Sequence, residues 1–278
     1  MRNIPTFGFI VNEKELNQSI FCTIILMKKI LMTLLLYICT SFASDYNMDA
    51  EYDIYYGFFG SVGEATASLS VEDGTYKIKI RAKATGLAKV LSRNRVETFE
   101  STGIVKDDIL IPQIFLSRKT REGKVDIKRY LFDYEKKEVN LLTTRIRGDK
   151  KSDTKKVMPF FSHNDILTLF FNLKHILGKN FETKEEIKLI AIGTSDKNGK
   201  IDVRSILNKE HQEVSKLLDA SNHILAVVLN QRIFASQKGE MFLNINDDGI
   251  CTSALLKDVV MFGDIRGKIK NLKVKRQK

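Results

Sequence analysis

Between Tyr52 and Arg147 the chain alternates apolar and polar residues, and it does so repeatedly between short turns. In "YKIKIRAKA" Tyr76, Ile78, Ile80 and Ala82 fall on one face, and Lys77, Lys79, Arg81 and Lys83 on the other. In "GEATASLSV" Ala65, Ala67, Leu69 and Val71 oppose Glu64, Thr66, Ser68 and Ser70. "EYDIYYGFF" groups Tyr52, Ile54, Tyr56 and Phe58. A period of two is the strand period, and one wet face per strand predicts a single antiparallel sheet. Further strands are predicted over 96–104, 109–117, 125–132 and 139–147. Turn residues separate them at Glu72-Asp73-Gly74, Lys106-Asp107-Asp108, Arg121-Glu122-Gly123 and Tyr134-Glu135-Lys136.

The period changes once, in "SHNDILTLFFNLKHILGKN". Asp165 is suited to cap a helix with Thr168 three residues on, Lys174 and His175 suit its negative end, and Gly178 suits its C-terminal cap. Ile166, Leu167, Leu169, Phe170, Phe171, Leu173, Ile176 and Leu177 cover most of its circumference, which predicts wide burial. Strands resume over 186–192, 201–206, 224–229, 241–245, 250–256 and 265–272. Residues 207–220 fit either a short helix, through Val214, Leu217 and Leu218, or a hairpin tip. The predicted fold is mainly β (α+β): a curled antiparallel sheet or half-barrel wrapped around one buried helix. With three prolines and no fixed-period repeat, residues 44–278 read as one domain with a basic C-terminal end.

"MKKILMTLLLYICTSFASDYN" begins at Met27 and has the parts of a secretory signal peptide. Lys28 and Lys29 are the positive region, Ile30–Ile38 the apolar run, and Ser41-Phe42-Ala43 the cleavage site, between Ala43 and Ser44. Ile30 to Ala43 is 14 residues, short of the ~20 a spanning helix needs. Cys39 ends the apolar run, but the large Ile38 before it argues against a lipoprotein signal. Residues 1–26 are then an upstream extension outside the native start, and residues 27–43 the signal peptide. The expected location is the periplasm.

Of 45 basic and 34 acidic residues, Arg2, Lys14, Lys28, Lys29, Glu13 and Glu15 precede residue 44, which leaves the mature part at +9. Cys22 and Cys39 precede it too, so Cys251 stands alone, in an apolar run that suits a buried, inert thiol. His163, His175, His211 and His223 show no metal spacing. The adjacent residues of "SHND" cannot converge as a Ser-His-Asp triad does, so they read as a helix-entry loop. "GFFGSVG" lacks phosphate-loop spacing and reads as a hairpin turn. Its Phe58 and Phe59 would line a ligand entrance at the mouth of a curled sheet. The row Lys77, Lys79, Arg81, Lys83 reads as a solvated face. The end "RGKIKNLKVKRQK" puts seven positive charges in 13 residues without an acid. Its strand part is expected to stop at Leu272, leaving Lys273, Lys275, Arg276 and Lys278 as a free basic end for an anionic surface.

"YDIYYGFFGSVGEA", "AKATGLAKVLS", Pro112 in "LIPQIFLSRKT", Phe132-Asp133, "NDILTLFFNL" and "GEMFLNINDDGICTSALLKDVVMFGDIRGKIKNL" occur in an order that resembles the bacterial domain-of-unknown-function family 3108. The likeness runs from Tyr52 to Leu272. It departs late, where Ile250 and Cys251 stand near a position that is often proline. The resemblance implies an exported, envelope-located β-rich domain of Gram-negative bacteria, with no chemistry to carry over. The expected function is therefore a non-catalytic envelope protein binding an apolar or lipid-like ligand. The alternatives are an assembly scaffold without a ligand and an enzyme with a dispersed site. No cofactor, metal or nucleic acid is expected. Expected partners are anionic lipid, lipopolysaccharide or an envelope protein, and the chain is expected to be a monomer.

Overall fold

The computed structural model describes residues 45–57, 60–178, 181, 185–194, 197–220, 223–229, 240–259 and 263–276. The chain divides into Met1–Phe42 and Ala43–Lys278, and every described residue lies in the second unit. Both the signal peptide with its Ala43–Ser44 junction and the 1–26 extension lie outside the described residues.

Eight strands come first: β1 Tyr46–Tyr56, β2 Ser61–Glu72, β3 Thr75–Ala84, β4 Val96–Lys106, β5 Ile109–Arg121, β6 Lys124–Asp133, β7 Glu138–Arg147 and β8 Lys150–Val157. The apolar piece "GLAKVL" between β3 and β4 is a short helix, α1, Gly86–Leu91. The hairpins close as expected. Asp73 and Gly74, Asp107 and Asp108, and Glu122 and Gly123 all take positive φ, the pairing that matches strand twist in two-residue turns.

Six more strands follow: β9 Ile187–Ile190, β10 Lys200–Ser205, β11 His223–Leu229, β12 Glu240–Ile245, β13 Cys251–Val259 and β14 Gly263–Arg276. Among the described residues all 14 strands form one antiparallel sheet, with β8 and β9 at its edges and β1 paired to β14 at its middle. The 207–220 stretch is a helix, Asn208–Leu218. Arg204 of β10 holds its start through paired bonds to Glu210 and a third to Glu240, each 2.7–2.8 Å.

The sheet is curled and open. Gly193 follows β9, ten strand positions from β5. In a flat sheet that is ~48 Å at the usual strand spacing. Yet a Cβ on Gly193, at φ +96°, would overlap the Phe115 ring of β5. The segment joining the two edge strands bridges their gap. The Met158 amide donates to Val139 O (2.8 Å), and Ser162 Oγ donates to Ile190 O (2.6 Å).

The inner face is set by strand register. Met48, Leu69, Ile78, Ser101, Phe115, Tyr130 and Leu141 pair in turn across β1 to β7 and form one cross-strand row. All seven are buried. The outward positions of β3 carry the Lys/Arg row, as the alternation predicts. Strand β11, "HILAVVL", differs: Leu225 and Val227 join one core cluster, Ile224 and Ala226 another under the 208–218 helix. Both faces are covered there, so the strand is apolar throughout.

The predicted helix forms as two short ones, α2 Ile166–Phe171 and α3 Leu173–Leu177, which makes the 208–218 helix α4. The break falls at buried Asn172, whose side chain acts as a strand partner for Leu110. Its Oδ1 accepts from the Leu110 amide and its Nδ2 donates to the Leu110 carbonyl, both at 3.0 Å. Burial is also narrower than the sequence suggests: Leu167, Leu169 and Leu173 are buried, while Phe170 and Phe171 are half-buried.

Two further corrections concern strands. "KKSDTKKV" forms β8, although it lacks apolar alternation and every residue in it is exposed. Its lysines suit an edge, where charge discourages further pairing. The chain's end is not free after Leu272: Lys273, Val274, Lys275 and Arg276 continue β14 opposite Asp49, Met48, Asn47 and Tyr46.

Candidate functional site

Small side chains on the inner face make the site. Across β1, β2 and β3, Ala50 pairs with Ala67 and Ala67 with Ile80; in the next row Tyr52 pairs with Ala65 and Ala65 with Ala82. Alanine at these positions leaves space where the neighbouring row has Met48, Leu69 and Ile78. Phe170 and Phe171 of α2 face that space but do not fill it. The result is a cavity of about 190 Å³, lined chiefly by Met48, Ala65, Ala67, Ile80, Phe170 and Phe171. Two polar groups at its wall are engaged: the Tyr52 hydroxyl donates to the Cys251 carbonyl (2.9 Å), and the Cys251 thiol to Ser253 O (3.3 Å). Burial pushes the Cys251 thiol up to about 12, which suits the inert role.

Phe171 and Ile250 separate this cavity from a second, of about 240 Å³, lined by Tyr46, Val71, Leu110 and the exposed Asp108 and Asp248. Arg276 stands at that rim. It donates to Asp248 Oδ1 (2.6 Å), and its guanidinium lies 5.8 Å from the Tyr46 ring centre.

Asp165 anchors the helical side. Its Oδ1 accepts from the Leu167 and Thr168 amides (2.8 and 3.0 Å), and Thr168 Oγ1 accepts in return from the Asp165 amide (2.9 Å). Its other oxygen accepts from Ser101 Oγ at 2.5 Å, which in turn lies 2.9 Å from the Tyr76 hydroxyl. Burial without a paired cation pushes the carboxyl up to about 6, against the lowering effect of these hydrogen bonds. Burial also raises the Tyr76 hydroxyl, with the Asp165 charge adding to it. The "SHND" loop is thus a helix entry that ties α2 to the sheet.

The sequence-derived site residues fare unequally. Phe58, Phe59 and Lys278 lie outside the described residues. Lys273, Lys275 and Arg276 sit in β14, as above. The histidines stay apart: His163 stacks with Tyr134 and meets Phe161 edge-on, His175 is exposed, His211 lies 3.3 Å from Ser215, and His223 lies 3.2 Å from Asp247. Among the described residues no three His, Cys, Asp or Glu side chains gather as a metal site, and no helix is long and apolar enough to cross a membrane. Sequence reasoning missed the cavity lining. Its signal was there: alanine at successive inward positions of β2, opposite a helix rich in phenylalanine.

The model of the family DUF3108, described as a protein of unknown function, matches residues 51–189. No curated protein matches. Among solved structures, the chain is similar to the crystal structure of a beta-barrel-like protein of domain of unknown function DUF1849 from Brucella abortus. Identity is 12%, the TM-score 0.44, and the match covers 82% of this chain and 98% of that one.

Proposed function

The chain belongs to the DUF3108 family of unknown function, and we propose that it is a non-catalytic, exported envelope protein that binds the apolar part of a lipid-like ligand. In this reading the curled sheet is a half-barrel wrapped around the 166–177 helical segment. Phe170 and Phe171 form the wall facing the ligand. The single observation that carries the reading is the cavity of about 190 Å³ between those rings and Ala65, Ala67 and Ile80. An apolar cavity of ~150 Å³ holds a benzene-sized group, so this one suits a segment of an acyl chain rather than a whole lipid. Arg276, Lys273 and Lys275 on β14 remain the proposed contacts with an anionic surface.

Ala67→Leu tests this. The added carbons project into existing space, so stability should change by less than about 1.5 kcal/mol. A fluorescent fatty-acid probe that binds wild type should bind the variant at least tenfold more weakly. Equal binding would remove the cavity from the function. Cavity size also favours a second reading, since ligand sites commonly run to ~300–1,000 Å³. A scaffold without a ligand would show no probe binding in either protein.

A further inference from the structure

The row that lines the apolar cavity does not end there. Tyr52, Ala65, Ala82, Glu97, Lys119, Asp126 and Arg145 pair in turn from β1 to β7, so their side chains share the inner face. From Ala82 to Lys119 is two strand spacings, ~10 Å. The next row toward the hairpin tips joins Arg121, Lys124, Arg147 and Lys150. On the cavity side, Ser117 pairs with Lys128 and Lys128 with Thr143. The face that packs Phe115, Tyr130 and Leu141 therefore becomes basic within two to four residues, at Lys128, Lys119 and Arg145. It also becomes wet: Lys119, Arg121, Lys124, Arg145 and Arg147 are all exposed.

Two acids share these rows, and basic side chains hold both. Glu97 is paired by Arg95 and by Lys119 (3.7 Å); Asp126 is paired by Arg147 (2.6 Å) and Arg145 (4.0 Å). Arg121, Lys124 and Lys150 make no ion pair with a described residue. The inner face of one sheet thus places an apolar cavity beside a patch with unmatched positive charge. A solvated outer face has no need of that arrangement.

Resting on the cavity reading, we propose that the inner face of β5–β7 seats the anionic head of the ligand, and that the ligand is a single-chain amphiphile with a carboxylate or phosphate head. The chain lies under Ala65 and Ala67. The head meets Lys119, Arg121 and Lys124, where guanidinium and ammonium groups donate charge-assisted hydrogen bonds to its oxygens.

The test uses the full exported chain and isothermal titration at low ionic strength with dodecanoate, dodecyl phosphate, uncharged dodecyl maltoside and inorganic pyrophosphate. At least one of the two anionic amphiphiles should bind about tenfold or more tightly than the maltoside, as charge-assisted bonds imply. Comparison of dodecanoate with dodecyl phosphate identifies the head. Added salt should shrink the preference. The double variant R121E/K124E should bring the anionic amphiphiles to the maltoside's affinity and leave the maltoside unchanged. An outer-face control of equal charge, K77E/R81E, should keep the preference. Equal binding of all three amphiphiles would overturn the head assignment and leave the cavity standing. So would equal loss of preference in both variants. Pyrophosphate binding that needs Arg121 and Lys124, with no amphiphile bound, would keep the anion seat and remove the cavity. No binding by any probe overturns both.

Discussion

Over β1–β3 the inner face carries Ala50, Ala65, Ala67 and Ala82, with Ala65 and Ala67 lining the cavity under the rings of α2, whereas over β5–β7 the same face carries Lys119, Arg121, Arg145 and Arg147 in contact with water. Register joins the two regions without interruption. The difference is in what each strand offers the middle of the curl. On β1–β3 every inward position is apolar down to the row of Tyr52 and Ala65. On β5–β7 apolar inward residues stop at Phe115, Tyr130 and Leu141. An inward face is therefore core only as far as its side chains are apolar and covered. Beyond that point it is open to water.

The comparison breaks most sharply at Phe115, the last apolar inward residue of β5. Phe115→Ala should cost about 3–5 kcal/mol, because the ring is fully buried beneath Gly193 and beside Tyr130. Urea unfolding measures it, and a loss under 1 kcal/mol would mean the curl does not close over this ring. Truncation after Leu272 should come next. It removes the pairing of Lys273–Arg276 with β1, beside buried Met48, and the Arg276–Asp248 bond. At ~0.5–1.5 kcal/mol per hydrogen bond, a loss of roughly 2–4 kcal/mol is expected. Unchanged stability would show that this end of β14 is not part of the fold.

Asp165 tests the junction, since Ser101 stands between Ile78 and Phe115 in the buried row and donates to its carboxylate. Its carboxyl is raised from 3.8 to about 6, so the folded state holds the proton more tightly than the unfolded chain. That contribution is complete below about pH 4 and is lost as pH rises through about 6. In Asp165→Asn the side-chain oxygen still caps Leu167 and Thr168, but the proton is gone from the balance. Wild type should therefore gain stability over the variant as pH falls from 6 to 4, by at most about 1.4 kcal/mol per pH unit. A pH-independent difference would place the carboxylate in contact with solvent. The smallest effect belongs to the basic rows. Arg121→Ala with Lys124→Ala should stay within about 0.5 kcal/mol of wild type per site, as expected for exposed side chains that make no ion pair with a described residue. A larger loss would make those rows structural rather than a binding surface.

Much of this architecture was legible in the sequence because alternation reports one-sided burial directly. Ile78 and Ile80 against Lys79 and Arg81 leave one orientation for β3. The turn pairs Asp73-Gly74 and Glu122-Gly123 fixed the hairpins, and Asp165 with Thr168 marked the helix entry. The elements that were missed lack that signal. β8 is polar on both faces because it is an edge with neither face covered. The helix breaks at Asn172 because a long-range pair with Leu110 outweighs local periodicity, and no local pattern reports such a pair. The end of β14 looked free because Lys273, Lys275 and Arg276 resemble a solvated tail, while β1 supplies the partner more than 200 residues earlier. The cavity was half-visible. Ala65 and Ala67 read as inward, but only register brought Ile80 beside them and α2 over them.

The most direct measurement is native mass spectrometry of the chain purified from its own host, wild type beside Ala67→Leu. The expected result is a population of wild-type protein carrying one added mass, removed by organic solvent and identified by fragmentation as a single-chain anionic amphiphile. The same adduct should be absent or strongly depleted in the Ala67→Leu protein. Wild type that flies only as the bare chain, or an adduct that survives Ala67→Leu unchanged, would contradict the cavity as a ligand site.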